Sequence, residues 1–227
     1  RAFVQRLFTQ IAPRYDWFNR LASCGLDQRW RTQALIRGDI QPGQRILDVC
    51  AGTGDLTILA ATRQQGNGAV VGLDMNRDML TYAQRKQRSH QLSIDWLQAD
   101  AEELPFASGS FDRVLIGFST RNLSDLMKGV REMVRVLRPH GRLIILETGY
   151  PRHRLLRAGY QVFLFTFARA IGWILTGRVW PFTYLARSAR QFLTPQQFVD
   201  RLQSVPTQAQ YVPLSYGLAS LYLATKS

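Results

Sequence analysis

The segment R-I-L-D-V-C-A-G-T-G-D, Arg45 to Asp55, decides the fold, and A-V-V-G-L-D, Ala69 to Asp74, answers it. Arg45–Cys50 reads as a short apolar strand, Ala51–Asp55 as a tight glycine loop and Leu56–Gln65 as a helix. Glycines at 52 and 54 let the backbone turn sharply and come close to a ligand. The N–H groups at the helix start favour an anionic group there. Ala69–Leu73 reads as the second strand, closed by Asp74 about 20 residues after the loop, where nucleotide-binding α/β folds place a carboxylate for the ribose hydroxyls.

The details of the loop separate the possible ligands. A dinucleotide fingerprint needs G-x-G-x-x-G, but the third position holds Thr57. A phosphate-cradling loop needs G-K-S/T, and the chain has none. What it has is an acid, Asp48, four residues before Gly52. That acid suits the positive amino group of S-adenosylmethionine, which carries no phosphate. Three acids follow three successive strands: Asp48, Asp74 and Asp100, the last closing Ile94–Ala99 and suited to the adenine amino group. Asp48 or Asp100 taken singly is as easily a helix N-cap. The ordered set beside the G-T-G loop favours the cofactor.

The 227 residues allow one domain with a normal core. The chain carries 29 basic and 16 acidic residues, a formal charge of +13, with Lys a small minority of the bases. Such a surface favours anionic partners: membrane lipid, nucleic acid or an acidic protein. Cys24 and Cys50 form no disulfide framework and read as small buried residues, which fits a reducing, cytoplasmic-type compartment. No apolar run reaches the length of a membrane span, and no signal peptide is visible. The chain starts at Arg1 rather than Met, so a short preceding stretch is expected.

Around the decisive segment, strands and helices alternate. Residues 1–40 read as helical, with Phe3, Val4, Leu7, Phe8 and Ile11 at helical spacing and Pro13 as a break. Asn76-Arg77 opens a helix through Arg88; Ile94–Gln98 and Arg113–Gly117 are strands three and four. Asp125–Leu137 is a helix stopped before Pro139, and Arg142–Glu147 is strand five. Thr194 caps a helix over Pro195–Gln203, and Gln210–Leu214 and Ala219–Thr225 close the chain as two strands. The alternation implies a parallel sheet ending in an antiparallel pair.

One segment departs from the alternation. No acid occurs between Glu147 and Asp200, while Arg152, Arg154, Arg157, Arg169, Arg178, Arg187 and Arg190 do. Among them lie Tyr160, Phe163, Leu164, Phe165, Phe167, Ile171, Trp173, Ile174, Leu175, Trp180 and Phe182. Tyr160, Phe163, Leu164, Phe167, Ile171, Ile174 and Leu175 share one helical face. An ordinary core helix with solvated arginines would look similar. The favoured expectation is an amphipathic lid over an apolar substrate, resting on an anionic bilayer surface.

These residues, with several others, match a known family. Y-D-x-x-N at Tyr15, Asp16 and Asn19, then Gly25-Leu26 and Trp30, resembles the N-terminal signature of the quinone C-methyltransferases of ubiquinone and menaquinone biosynthesis. The match continues through D-V-C-A-G-T-G-D-L-T (48–57), G-L-D-M-N-R-D-M-L (72–80), A-D-A-E-E-L-P-F (99–106), F-D (111–112), R-N (121–122), R-V-L-R-P-H-G-R-L (135–143) and L-E (146–147). It spans residue 8 to about 190. Two departures stand out: F-S-T-R-N (118–122) where the family usually has F-G-L-R-N, and P-H-G-R (139–142) where it usually has P-G-G-R. The second is a turn position; the first lies beside the reaction site and leaves the substrate branch open.

The resemblance implies an α/β fold: a class I S-adenosylmethionine-dependent methyltransferase with a Rossmann-like seven-stranded sheet. It implies a single domain over 1–227, with an N-terminal helical cap at 1–40 and a helical substrate or membrane insert at 151–190. It implies methyl transfer to a ring carbon of a prenylated or phytylated naphthoquinol, the menaquinone or phylloquinone branch, with a polyprenyl benzoquinol as the alternative. Cofactor contacts are then expected from Asp48, Gly52, Thr53, Gly54, Asp74, Met75, Asp100, Ala101 and Gly117. A peripheral position on the membrane in the cytoplasm follows from a lipid-tailed substrate.

The chemistry points to three further side chains. The sulfonium is already a good electrophile. The ring carbon becomes nucleophilic when an adjacent hydroxyl ionises, and a phenol of pKa about 10 needs nearby positive charge for that. Arg121 is the candidate for that charge; it stays protonated, so it stabilises phenolate rather than acting as base. Asn122 and Tyr15 are expected to orient the ring oxygens, with water carrying off the proton. A surface ion pair is the plainer reading of Arg121, but it follows strand four, where ligands bind in such sheets. His90, His140 and His153 lack metal-ligand spacing, so no metal is expected. A nucleic-acid methyltransferase would explain the charge but finds no base-flipping motif here. A non-catalytic lipid-surface protein would not need the three acids.

Overall fold

A computed structural model describes residues 2–149, 151, 153–176, 183–184, 188 and 192–227. Its centre is one seven-stranded sheet in the order β3-β2-β1-β4-β5-β7-β6. The strands are β1 Arg45–Val49, β2 Ala69–Asp74, β3 Asp95–Gln98, β4 Phe111–Gly117, β5 Leu137–Thr148, β6 Thr207–Leu214 and β7 Ala219–Lys226. β1 pairs in parallel with both β2 and β4, so the chain reverses its direction of build at the β1/β4 seam. A crevice opens at the carboxyl ends of the strands at such a seam. β7 runs antiparallel to β5 and to β6, the expected closing pair.

Burial on both faces accounts for the apolar strands. Leu47, Val49, Val114, Ile116, Leu143 and Ile145 pack on one face with Met133, Phe198 and Tyr222. Ile46, Leu115, Ile144 and Leu146 pack on the other with Trp30, Leu35 and Ile58. The covering helices are α3 Leu26–Arg37, α4 Asp55–Gln64, α5 Arg77–His90, α6 Leu126–Val136 and α9 Pro195–Gln203. Their starts are built locally. Asn76 Oδ1 accepts the N–H groups of Asp78 and Met79, and Asp125 accepts that of Lys128. Thr194 and Gln197 form a reciprocal capping box.

Two local expectations change. Strand five begins at Leu137, not Arg142, because Leu137 pairs with Phe111 before a register shift carries the pairing to Arg113 and Arg142. The P-H-G turn lies in that bulge, with His140 at φ 60°. A non-glycine residue there costs about 1–2 kcal/mol. Cys24 is exposed, not buried, since it lies in the turn between two helices at φ 51°.

The N-terminus supplies α1 Ala2–Ile11, a 3₁₀ turn Ala12–Arg14 at Pro13, and α2 Tyr15–Ala22. Leu7, Ile11 and Phe18 form a small core of their own, packed against Phe163, Ile171 and Tyr184. The segment after strand five is two helices, α7 Arg154–Phe165 and α8 Phe167–Thr176. The single face expected across them does not hold. The helix breaks at Thr166, whose hydroxyl donates to the Val162 carbonyl at 2.6 Å. On either side of that break Phe163 and Ile171 turn inward, while Phe167 and Ile174 are exposed. Arg152, Arg178, Trp180, Phe182, Arg187 and Arg190 lie outside the described residues.

Candidate active site

The glycine loop is shaped by backbone conformation. Gly52 and Gly54 take φ 57° and 82°, which side chains resist, and Cys50 between β1 and the loop takes 56°. A Cβ on Gly54 would stand 2.6 Å from the Trp96 ring. The loop is tied across the sheet: the Ala51 N–H donates to the Leu73 carbonyl at 2.9 Å, and the Gly52 N–H to Asp74 Oδ2 at 2.8 Å. The other Asp74 oxygen accepts the Asn76 N–H at 2.8 Å. Asp74 therefore joins the loop to the end of β2 before any ligand arrives. Burial raises its pKa, and the backbone N–H groups of Asn76, Gly52 and Met75 oppose that rise.

Asp48 lies inside β1 rather than after it, and Gly54 holds the helix N-cap position. Neither Asp48 nor Asp100 caps a helix, because only a turn follows β3. Asp48 is 1% exposed. Its Oδ2 accepts the Thr57 hydroxyl at 2.5 Å, while Oδ1 has no hydrogen-bond partner. Burial pushes its pKa up to about 7 against the pull of Thr57 and Arg31. An orphaned carboxylate oxygen facing a cavity is what a cationic ligand group would satisfy.

That cavity, which opens to solvent, holds about 1060 Å³ of space between atoms. Of the expected cofactor residues, Asp48, Gly52, Thr53, Asp74, Met75, Asp100, Ala101 and Gly117 line it; Gly54 does not and packs on Trp96 instead. Tyr15 and Asn122 line it as well. So do residues missed in the sequence: Gln5 and Phe8 of α1, Arg31 of α3, and Glu102. The Glu102 carboxylate accepts the N–H groups of Ser124 at 2.7 Å and Asp125 at 3.2 Å, holding the loop after β4 against the end of β3. The second acid of A-D-A-E-E was its signal.

The N-terminal helices close one wall. Asn76 Nδ2 donates to the Gln5 carbonyl at 3.1 Å and to Thr9 Oγ1 at 2.9 Å. The Thr53 hydroxyl donates to Asp16 at 2.5 Å. Lys86 bridges Asp16 at 2.8 Å and Asp55 at 2.5 Å. The Asp of Y-D-x-x-N thus fastens α2 to the glycine loop.

Arg121 stands on the 3₁₀ turn Thr120–Asn122 directly after β4. It is in an ion pair, as its plainer reading had it, but a buried one: its Nη1 donates to Glu147, with side chains 7% and 0% exposed. It is not among the residues that line the cavity, although its neighbour Asn122 is. Tyr184 donates to Asn122 Oδ1 at 3.3 Å. The pKa values of Tyr15, Tyr160 and Tyr184 are raised by burial, that of Tyr160 to about 12, and the Arg121 charge draws all three back. Among the described residues, no group of three or more His, Cys, Asp or Glu could hold a metal ion.

The sheet order, the glycine loop and the acids at successive strand ends define a class I S-adenosylmethionine-dependent methyltransferase. A solved S-adenosylmethionine-dependent methyltransferase from Aquifex aeolicus has the same fold, with a TM-score of 0.66 over 87% of this chain and 89% of that one at 16% identity. The chain belongs to the ubiE/COQ5 methyltransferase family, whose model matches residues 1–226. It is 36% identical to a demethylmenaquinone methyltransferase of Thermus thermophilus over 97% of this chain and 100% of that protein. It is 34% identical to a ubiquinone/menaquinone biosynthesis C-methyltransferase of Geotalea daltonii over 98% and 96%.

Proposed function

We propose that this enzyme transfers a methyl group from S-adenosylmethionine to a ring carbon of a lipid-tailed naphthoquinol, in menaquinone or phylloquinone biosynthesis. What carries the reading is the near end-to-end match to demethylmenaquinone methyltransferases, over a cavity in which the cofactor acids meet Tyr15 and Asn122. The polyprenyl benzoquinol reading stays as the second, favoured by the relatives named for both ubiquinone and menaquinone.

S-adenosylmethionine supplies an electrophilic methyl group. Asp48 holds the cofactor's ammonium group on its unpaired oxygen, Asp74 the ribose hydroxyls on the remaining lone pairs of its carboxylate, and Asp100 the adenine amino group. Gly52 and Thr53 bring backbone close to the cofactor, and Met75, Ala101 and Gly117 complete its walls. Arg121 favours the phenolate of the quinol electrostatically. Tyr15 and Asn122 orient the ring oxygens, and the wall of α1 and α2 limits water at the reacting carbon. Solvent accepts the proton.

We read 1–227 as one unit, with 1–40 as a cap over the cofactor and 151–190 as an insert that meets the membrane. No helix among the described residues is long and apolar enough to cross a bilayer. Leu155, Val162, Phe167, Trp173 and Ile174 are exposed on α7 and α8, beside Trp17 and Leu21 of α2. Exposed apolar side chains among arginines suit shallow insertion at an anionic surface.

The test is to supply labelled S-adenosylmethionine with reduced naphthoquinols, reduced benzoquinols and RNA. Label on the naphthoquinol ring is the expected result. Label on benzoquinols alone would move the enzyme to the second reading, and label on RNA alone would overturn both.

A further inference from the structure

The wiring around Arg121 assigns a role to a residue that lines no cavity. Glu147 is completely buried near the end of β5. Its carboxylate is saturated. One oxygen accepts Arg121 Nη1, the Thr148 N–H at 2.7 Å and the Thr148 hydroxyl at 3.2 Å; the other accepts the Thr120 hydroxyl at 2.6 Å. The bonds to Thr120 and Arg121 join β5 to the turn after β4.

Arg121 is not saturated. Its side chain is 7% exposed, yet its Nε–H is buried with no hydrogen-bond partner. A buried guanidinium hydrogen without an acceptor is costly, so its survival beside the Glu147 carboxylate calls for a use. The groups around it are the phenols of Tyr15 from α2, Tyr160 from α7 and Tyr184, with Glu147 from β5. Among the described residues, Glu147 is the acid paired with Arg121. It offsets the charge of Arg121 in the free enzyme and takes one end of the guanidinium, leaving the buried Nε–H without an acceptor.

We propose that Glu147 is a positioning residue for methyl transfer, clamping Arg121 by Nη1 so that its charge is held in the wall beside Asn122 and directed at a ring oxygen of the quinol. This rests on the phenolate-stabilising role of Arg121 given above. Glu147 touches neither substrate nor cofactor. Its charge also opposes the field of Arg121 at the quinol, so it tempers phenolate formation while fixing the geometry.

The experiment compares the full-length enzyme with Glu147→Gln, Glu147→Asp and Arg121→Ala on a reduced naphthoquinol. It reads kcat, KM for quinol, Kd for S-adenosylmethionine, the melting transition and kcat from pH 6 to 9. Glu147→Gln and Glu147→Asp should bind S-adenosylmethionine as the parent does and lose about ten- to a hundredfold in kcat, the usual cost of a misplaced contact. Glu147→Gln alone should move the rising limb of the pH profile to lower pH, because the opposing charge is gone and the phenolate forms more readily. Glu147→Asp keeps the charge and should leave the limb in place; it carries the test by its kcat if Glu147→Gln does not fold. Parent-like kcat in Glu147→Asp, or a kcat loss in Glu147→Gln with no movement of the limb, overturns the proposal. Full turnover in Arg121→Ala would instead remove the role of Arg121, and a loss there beside a parent-like Glu147→Asp would remove only that of Glu147.

Discussion

Asp48→Asn should make the ligand-free enzyme more stable and the cofactor weaker, two effects of opposite sign from one oxygen. In the folded chain the Asp48 carboxyl titrates at about 7, against 3.8 for the free group. The folded state therefore binds the proton more tightly than the unfolded one. Stability is greatest below the unfolded value and is lost as pH rises toward 7. The difference is about 3 pKa units, so the upper bound is about 4 kcal/mol. Relaxation and the effective dielectric of real interiors reduce it, and about 2 kcal/mol is a reasonable working figure. For a chain of this size that is about 4–8 °C in Tm. The amide keeps an acceptor for Thr57 and carries no charge, so at pH 8 Asp48→Asn should melt higher by that amount, and the gap should close near pH 4. Binding runs the other way. The ammonium group needs the carboxylate ionised, so affinity of the parent for S-adenosylmethionine should rise between pH 5 and 7, by at most about tenfold per unit, and then level. Asp48→Asn should bind about 10- to 150-fold more weakly at pH 8, the worth of a charged hydrogen bond. Differential scanning calorimetry and titration calorimetry across pH read both. A variant no more stable than the parent at pH 8 would refute the burial argument. Unchanged affinity would refute the assignment of Asp48 to the ammonium.

Asp74→Ala removes the acceptor for Gly52 and Asn76 as well as the proposed ribose site, so it should weaken S-adenosylmethionine by about 1–3 kcal/mol in calorimetry while the chain stays folded. Asp16→Ala frees α2 from Thr53 and Lys86. Asp16 and Lys86 are partly exposed, so the stability cost should stay below about 1 kcal/mol, and stopped-flow should show faster cofactor release with little change in Tm. Arg154→Gln with Arg157→Gln and Arg169→Gln should reduce flotation with anionic vesicles and activity on a long-tailed quinol, but spare a short-tailed one. Flotation with no preference for anionic over neutral lipid would leave the apolar residues of α7 and α8 as a substrate lid.

What the sequence made legible was local. The segment from Arg45 to Asp74 reads correctly to within a residue, because a glycine loop between an apolar strand and a helix is fixed by its own conformational demands. The capping box at Thr194 and the N-cap at Asn76 are equally local, closed within three residues. Errors begin where a partner far along the chain decides. Leu137 looks like the end of a helix and is a strand residue only because Phe111 lies beside it. Thr166 looks like one more residue in a helix, yet the small core of Leu7, Ile11 and Phe18 draws Phe163 and Ile171 inward on either side of a break there. Gly54 belongs to the loop motif, and the Trp96 ring against it adds a packing reason for glycine there.

The site shows the same division more sharply. The acids that line the cavity announce themselves, since each strand end delivers one side chain to the same edge of the sheet. The wall of α1 and the pairing of Arg121 do not. Gln5 is brought to the cavity by Asn76, 71 residues later. The sequence shows Arg121 as a charge without saying whether that charge is spent. In the fold its net field is partly offset by Glu147, 26 residues on, so in the proposed mechanism its value lies in direction as much as in charge. One donor edge is held by the carboxylate and the Nε–H is left bare. A lysine at 121 would keep the charge and lose that arrangement, because an ammonium has no planar fork for the carboxylate to fix. Arg121→Lys should therefore recover only a fraction of the turnover lost in Arg121→Ala, with S-adenosylmethionine affinity unchanged in both. Equal, full turnover in the two variants would mean that the phenolate is stabilised by another group.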